Sequence, residues 1–160
     1  MEELLEKPSC KKKICKNRSK AVVSAYLILQ KDSKTLLSLR KDTGYEDGKY
    51  GLVAGHVEQG ESVKAAMVRE AYEEIGIKIK PESLQLVHIM HRKTDRNNID
   101  FFFRCCDYDG DIINKEPNKC AEINFFSGVD IPFNTIGYIR QVLLISMEGK
   151  NYSEFGWEDS

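Results

Sequence analysis

"GHVEQGESVKAAMVREAYEEIGI", residues Gly55–Ile77, decides the fold, because it predicts a tight loop followed by an amphipathic helix. Ser62 is the predicted N-cap, and Gly76 is the residue predicted to end the helix in a left-handed conformation. At about 100° per residue, Ala71 and Ile75 fall on one apolar side of this helix. We therefore expect a helix that buries one face and leaves the other for polar side chains.

The polar face carries Glu70, Glu73 and Glu74 and breaks two local rules. Carboxylates three or four residues apart on a helix repel one another, and the last turn of a helix disfavours negative charge. A solvated acidic surface is the alternative interpretation. Two violations together favour a functional site, and Mg²⁺, which takes carboxylate oxygens and substrate phosphates as ligands, would relieve both.

The loop before the helix is bounded by Gly55 and Gly60, which let the backbone approach a ligand closely. Arg69 is the cation nearest to the acidic face. We expect it to pair with Glu61 and to fix the loop against the helix. A loose surface ion pair is the alternative.

Composition limits the possible partners and compartment. The chain has 160 residues and a net charge of -1, so one domain is expected, and no basic surface favours a nucleic-acid polymer as partner. We expect residues 1–18, which are rich in lysine, to form a flexible segment and residues 19–160 to form the single domain. No apolar run resembles a membrane span or a signal peptide, so a cytoplasmic protein without membrane contact is expected. The five cysteines indicate neither a disulfide framework nor a zinc site, because their number is odd and they form no paired CxxC units.

Predicted strands lie on both sides of the helix, and a second helix is predicted near the C-terminus. This order favours an α/β fold, with helices packed on a mixed sheet. The predicted strands are Ala21–Leu29, Thr35–Lys41, Leu52–Gly55, Ser83–Lys93, Ile99–Tyr108 and Glu122–Ser127, and the second helix is Asn134–Gly149 with Asn134 as its N-cap.

The helix and its loop also match a known pattern. Gly55, Glu61 and then "REAYEEIGI" (Arg69–Ile77) resemble the Nudix box, G-x5-E-x7-R-E-U-x-E-E-x-G-U, in which U is apolar. Every fixed letter matches, with Ala71 and Ile77 in the apolar places. The resemblance implies a Nudix-like α/β/α sandwich with a mixed sheet. It also implies a Mg²⁺- or Mn²⁺-dependent hydrolase that cleaves a nucleoside diphosphate linked to a further group.

The resemblance assigns roles position by position. Glu70, Glu73 and Glu74 become metal ligands, together with the carbonyl oxygen of Gly55, and Arg69 pairs with Glu61. Many members use a further glutamate, from a loop after the sheet strands, as ligand or general base. The predicted metal ligands are thus Gly55, Glu70, Glu73, Glu74 and Glu116, and the predicted catalytic residues are Glu73, Glu74, Glu116 and Arg69.

Two choices among these glutamates stay open. Glu116 is the candidate for the loop glutamate and Glu122 the reserve, with an exposed loop charge as the alternative for Glu116. Either Glu74 or Glu116 is expected to accept the proton of the attacking water.

Sequence features outside the Nudix box indicate the substrate class. The proline of the ADP-ribose subgroup and the tyrosine of the diadenosine polyphosphate subgroup are both absent from Ser83–Asn98, as is the upstream motif of the coenzyme A subgroup. This leaves the nucleoside triphosphate subgroup, including mutator-type enzymes that remove oxidised nucleotides, with a nucleoside monophosphate and pyrophosphate as products. The alternatives are a nucleotide-sugar or dinucleotide pyrophosphatase, and an inactive Nudix-fold binding module.

Five residues are the candidates for substrate binding, with a nucleotide as the expected partner and a monomer or homodimer as the expected state. Asn134 is similar in position to a base-reading asparagine, with a helix N-cap as the alternative. Tyr45 and Tyr50 are candidates to stack on a base, with core packing as the alternative. His56 borders the site as a candidate phosphate contact, and Arg40 is the further candidate.

Overall fold

The structure is a computed structural model that describes residues 17–158. Residues 1–16 of the predicted N-terminal segment lie outside the described residues, and the division into that segment and one domain stays a prediction. Two α-helices, α1 (Val63–Ile75) and α2 (Gly137–Met147), occur in the described part. Its strands are β1 (Val22–Lys31), β2 (Lys34–Arg40), β3 (Tyr50–Gly51), β4 (Val53–His56), β5 (Gln85–Lys93), β6 (Asn97–Cys105), β7 (Cys120–Ser127) and β8 (Tyr152–Phe155).

The strands form one mixed sheet in the order β3-β2-β1-β6-β5-β8, with β4 paired to β1 and β7 paired to β2. The β1–β6 and β5–β8 pairs are parallel and the other pairs are antiparallel. A tight turn joins β1 to β2 through Asp32 and Ser33, whose φ angles of 51° and 60° suit such a hairpin. The prediction of a mixed sheet is confirmed.

The two helices cover opposite faces of this sheet. Met67, Ala71 and Ile75 of α1 are buried in one core with Leu27 and Phe103. Burying an apolar side chain of this size contributes about 1.5–3 kcal/mol. The next residues along β1 and β6 point to the other core, because successive side chains of a strand alternate. That second core holds Ile28 and Phe102 with Ile139, Val142 and Leu143 of α2, so the predicted α/β/α sandwich is confirmed.

Helix α1 begins and ends as its sequence predicts. The Ser62 hydroxyl accepts a hydrogen bond from the backbone N–H of Ala65 at 3.2 Å. Gly76 has φ 75°, and its backbone N–H donates to the carbonyl oxygen of Tyr72 at 3.0 Å. The caps hold the acidic face at a fixed place on the domain.

The predicted start of the second helix is wrong. Helix α2 begins at Gly137, and the Asn134 side chain donates instead to the carbonyl oxygen of Gly48 at 2.9 Å. The reason is a backbone pairing, in which the N–H of Tyr50 donates to Asn134 and the N–H of Ile136 donates to Tyr50. Asn134 is therefore not an N-cap.

The C-terminal part of the described chain adds strand β8, which the sequence did not predict. It pairs in parallel with β5, from Ile89 opposite Tyr152 to Arg92 opposite Phe155. None of the helices within residues 17–158 has the length and apolar character needed to cross a membrane.

Candidate active site

Helix α1, strand β4 and the loop before β7 together line one acidic cavity of about 790 Å³. Glu70, Glu73 and Glu74 come from α1, Glu116 comes from the loop, and Gly55 lies at the end of β4. The structure thus brings together the residues that the sequence predicted as metal ligands. Their role as ligands stays a prediction.

Gly55 leaves the space that the Glu70 side chain occupies. A Cβ atom added to it would lie 2.0 Å from Oε1 of Glu70 and 2.1 Å from its carboxyl carbon. A side chain here would therefore displace the Glu70 carboxylate, which packs directly on the β4 backbone.

Arg69 joins the loop to the acidic face. Its Nε and Nη2 donate to the two carboxylate oxygens of Glu61, at 3.2 and 2.7 Å. Nη1 donates to Glu70 at 2.7 Å and to Glu73 at 3.2 Å, and Nη2 also donates to the carbonyl oxygen of His56 at 3.1 Å. The hydrogen bonds from Arg69 lower the pKa of Glu61. The predicted pairing of Arg69 with Glu61 is present and has two-pronged geometry.

The remaining carboxylates of the cavity are crowded and partly desolvated. Burial, together with the nearby charges of Glu70 and Glu116, raises the pKa of Glu74 to about 8. Burial also raises the pKa of Glu70, although its hydrogen bond from Arg69 opposes the shift. Such a cluster favours a bound cation, because each deprotonated carboxylate increases the cost of the next.

The donor chemistry of the cavity fits a hard divalent ion. Its side-chain donors include several carboxylate oxygens, which are ligands that Mg²⁺ prefers, and Gly55 lines it as well. Within residues 17–158, however, no three acidic, histidine or cysteine side chains are grouped tightly enough to hold one ion as they stand. Arg69 forms ion pairs with the carboxylates of Glu70 and Glu73.

The two loop glutamates differ in their surroundings. Glu116 lines the acidic cavity, and its charge acts on Glu70 and Glu74. Glu122 is placed on β7, where its carboxylate accepts a hydrogen bond from the Tyr50 hydroxyl. The structure therefore favours Glu116 over Glu122 as the further carboxylate of the site.

A second cavity, of about 470 Å³, adjoins the acidic cavity, and we call it the distal cavity. Both are lined by Arg40, Leu52, Ala54, Gly55 and His56, so they meet along strand β4. A molecule that spans β4 would place one end among the carboxylates and the other in the distal cavity.

The distal cavity includes three of the predicted substrate-binding residues. Tyr45 and Arg40 lie in contact, with the guanidinium carbon 5.6 Å from the ring centroid. His56 accepts a hydrogen bond at Nε2 from Arg96 at 3.0 Å, and both burial and that neighbouring cation lower its pKa. A neutral imidazole thus borders both cavities at neutral pH.

Tyr50 and Asn134, the other two predictions, line neither cavity. The ring of Tyr50 packs on Phe126, with the centroids 5.2 Å apart, and its hydroxyl donates to Glu122. Asn134 binds the carbonyl oxygen of Gly48. Tyr50 therefore contacts β7, Asn134 contacts the loop between β2 and β3, and their role in substrate binding stays a prediction.

The sequence reasoning missed the floor of the distal cavity, which is formed by Tyr26, Arg92 and Tyr138. A signal was present in strand β5. His88, Met90 and Arg92 alternate along it and are all buried, so an arginine occupies an inward position. An inward arginine on a predicted strand indicates a buried partner.

With this geometry described, comparison with known proteins identifies the family. The profile of the NUDIX domain matches residues 18–141. The chain belongs to the Nudix family. The predicted family and the predicted hydrolase class are thereby confirmed.

Two curated relatives of this Nudix hydrolase carry activity names. An ADP-ribose pyrophosphatase of Methanocaldococcus jannaschii is 33% identical over 129 residues, which cover 76% of this chain and 75% of the relative. The NAD-capped RNA hydrolase NudC of Shigella flexneri is 28% identical over 118 residues, which cover 74% of this chain and 44% of the relative. The chain thus spans less than half the length of that second relative.

The fold has close structural counterparts. A MutT Nudix hydrolase from Burkholderia pseudomallei superposes with a TM-score of 0.72 and 23% identity, covering 79% of this chain and 98% of that structure. At this identity the likeness shows that the two chains share a fold.

Proposed function

We propose that this Nudix hydrolase cleaves a diphosphate linkage in a nucleoside triphosphate or a related nucleoside diphosphate derivative, with Mg²⁺ or Mn²⁺ as cofactor. The observation that carries the proposal is the meeting of the two cavities along β4. The acidic cavity suits a metal-bound diphosphate, and the distal cavity suits the group attached to it. Cleavage of either kind of substrate releases a nucleoside monophosphate.

The proposed ligands of the ion are Glu70, Glu73, Glu74, Glu116 and the carbonyl oxygen of Gly55. When bound, a divalent ion neutralises phosphate oxygens and lowers the pKa of a bound water. Nη1 of Arg69 donates to one carboxylate oxygen of Glu70 and to one of Glu73, so these two side chains would be shared between Arg69 and the ion. Arg69 retains Glu61 and the His56 carbonyl, so the loop stays in place.

Glu74 is the proposed proton acceptor. Its carboxyl group lines the acidic cavity, where it could accept a proton from the attacking water. Glu116 faces the same cavity and is the second candidate for this step. Arg40 and His56 border both cavities and are proposed to contact the phosphates between them.

The substrate is proposed to be a nucleoside triphosphate, including oxidised forms, with pyrophosphate as the second product. The relative named ADP-ribose pyrophosphatase favours a second candidate, a nucleoside diphosphate linked to a sugar. An inactive binding module is less well supported, because all three glutamates of α1 are retained. We also propose that the protein acts in the cytoplasm and binds a nucleotide. It is proposed to be either a monomer or a homodimer.

A substrate panel tests the proposal. The full chain is incubated with nucleoside triphosphates, 8-oxo-dGTP, ADP-ribose and NAD, with Mg²⁺, with Mn²⁺ or with EDTA. Nucleoside monophosphate is measured by chromatography, and pyrophosphate is measured separately from phosphorylated sugar.

Two variants serve as a matched pair in that assay. Glu73→Gln is expected to lower turnover about a hundredfold or more, whereas Glu82→Gln, at an exposed glutamate outside both cavities, should not change it. A folded wild-type chain that releases no nucleoside monophosphate from any of these compounds with either metal would contradict the proposal.

A further inference from the structure

Arg92 and Asp100 form a buried ion pair beneath the distal cavity. Arg92 is 4% exposed and Asp100 is 0% exposed. The Arg92 Nε donates to Oδ2 of Asp100 at 2.5 Å, and its Nη2 is 3.3 Å from Oδ1. The guanidinium carbon lies 4.1 Å from the centre of the Tyr138 ring. These contacts fix the plane of the guanidinium and compensate its charge.

One edge of this guanidinium is available to a ligand. Nη2 also donates to the Tyr26 hydroxyl at 3.3 Å, but no residue within 17–158 accepts a hydrogen bond from Nη1. Nη1 is also absent from the buried polar atoms that lack a hydrogen-bond partner within residues 17–158, so it is reached by solvent. Arg92 lines the distal cavity. The two N–H groups of Nη1 are therefore unused donors at the cavity floor.

The two tyrosines add a further donor. The hydroxyls of Tyr26 and Tyr138 are 3.2 Å apart, so one hydroxyl proton is used between them. The other proton has no protein acceptor within the described residues. Burial raises the pKa of Tyr26 to about 12 and also raises that of Tyr138, so both hydroxyls are protonated at neutral pH. The floor of the cavity is therefore rich in donors.

The walls suit a flat ring that carries hydrogen-bond acceptors. Leu52, Ile136 and Ile139 supply apolar surface, and Tyr45 stands at the rim with 47% of its surface exposed. A volume of about 470 Å³ lies in the range of small-molecule sites. Because Asp100 already compensates Arg92, a neutral carbonyl suits the floor better than another phosphate.

We propose that the distal cavity binds the base of the substrate and that Arg92 determines its specificity, favouring 6-oxopurines over 6-aminopurines. This rests on the proposed function, which places the attached diphosphate in the acidic cavity. Arginine pairs with the O6 and N7 acceptors of an oxopurine, whereas adenine presents an N6 donor in place of O6. An N–H group of Arg92 that faces the N6 amino group of adenine forms no hydrogen bond, so both buried donors remain unpaired.

Binding of IMP and AMP tests the inference without the reaction. The two nucleotides share the ribose phosphate and differ in the base only at position 6 and in the N1 proton. Calorimetry on the full chain in EDTA should show that IMP binds more tightly than AMP by about 5- to 150-fold. The turnover of ITP and ATP, or of IDP-ribose and ADP-ribose, should follow the same order.

Arg92→Lys should lower the IMP-to-AMP ratio, since lysine keeps the charge and a donor but lacks the planar pair of N–H groups that meets O6 and N7 together. Arg104→Lys makes the same change outside the distal cavity and should keep the ratio. Circular dichroism checks that each variant is folded. If Arg92→Lys does not fold, the wild type is tested with 7-deaza-IMP, which lacks the N7 acceptor; it should bind about 2- to 10-fold more weakly than IMP, and equal binding would overturn the inference.

Equal or tighter binding of AMP by the wild type would overturn the inference, as would an unchanged ratio in folded Arg92→Lys. Hydrolysis without a base preference would leave the proposed function standing and refute only the role of Arg92. A preference for IMP without hydrolysis of any diphosphate would refute the proposed function instead.

Discussion

Replacing Glu74 by glutamine should stabilise the metal-free protein at alkaline pH. The pKa of this carboxyl is raised from 4.5 to about 8, mainly by burial and then by the charges of Glu70 and Glu116. Between these values the native chain keeps a proton that the unfolded chain releases. The free energy of unfolding therefore falls as the pH rises from about 4.5 to 8 and levels off above that.

The size of the effect follows from the same numbers. Each pH unit within the window costs about 1.4 kcal/mol, which sets an upper limit of about 5 kcal/mol over the whole window. Because side chains and water adjust around a charged carboxylate, we expect on the order of 2–4 kcal/mol between pH 5 and pH 8. For a chain of this size that is a shift in Tm of about 4–15 °C.

Urea and thermal unfolding in EDTA at pH 5, 6.5 and 8 measure this slope. Glu74→Gln should lose most of it and should be more stable than the wild type at pH 8, while losing turnover with Mg²⁺. Glu73→Gln is the matched control, because this neighbouring side chain is 52% exposed, and it should keep the slope. Equal slopes for the wild type and Glu74→Gln would refute the assignment of Glu74 as the acid of the site whose pKa is raised.

Three other predictions concern the same cavity. Gly55→Ala should lower turnover about a hundredfold, because the added methyl displaces the carboxylate of Glu70. Gly128→Ala should not lower turnover, since the nearest atom to its added Cβ is 3.9 Å away, and steady-state kinetics on both variants measures the difference. Glu116→Gln should weaken Mg²⁺ activation in a metal titration, and Glu122→Gln should not, since that carboxylate is bound to a tyrosine hydroxyl; equal effects would remove Glu116 from the site. Treatment with EDTA should abolish the release of nucleoside monophosphate, and added Mg²⁺ or Mn²⁺ should restore it; full activity in EDTA would contradict the metal requirement.

The helix and its loop were predictable because their signals are local. Ser62 and Gly76 act through hydrogen bonds to residues three and four positions away. The pattern of Gly55, Glu61 and the glutamates of α1 gave both the family and the composition of the acidic cavity. The strand register was needed to separate Glu116 from Glu122, because β7 places Glu122 opposite Leu39 and within reach of Tyr50.

The failures came from long-range pairing. Asn134 has the side chain of an N-cap, but the strand-like contact between Tyr50 and residues 134–136 draws it to Gly48. Strand β8 is short and alternates between exposed and half-buried residues, so its sequence resembles a loop. Its hydrogen bonds go to β5, far away in the sequence, and no local pattern reports them.

The Arg92–Asp100 pair could not be predicted from the local sequence pattern. Taking two charges out of water is costly, and apolar residues of similar volume at such positions are often neutral or stabilising. Stability alone therefore does not explain why an arginine is buried between Tyr26 and Tyr138. The proposed ligand would explain it by using the Nη1 donors, which have no acceptor within residues 17–158, because the pair then holds a hydrogen-bonding edge at a fixed place. Strand β4 lies between this edge and the carboxylates, so one short strand separates the group proposed to recognise the base from the groups proposed to cut the diphosphate.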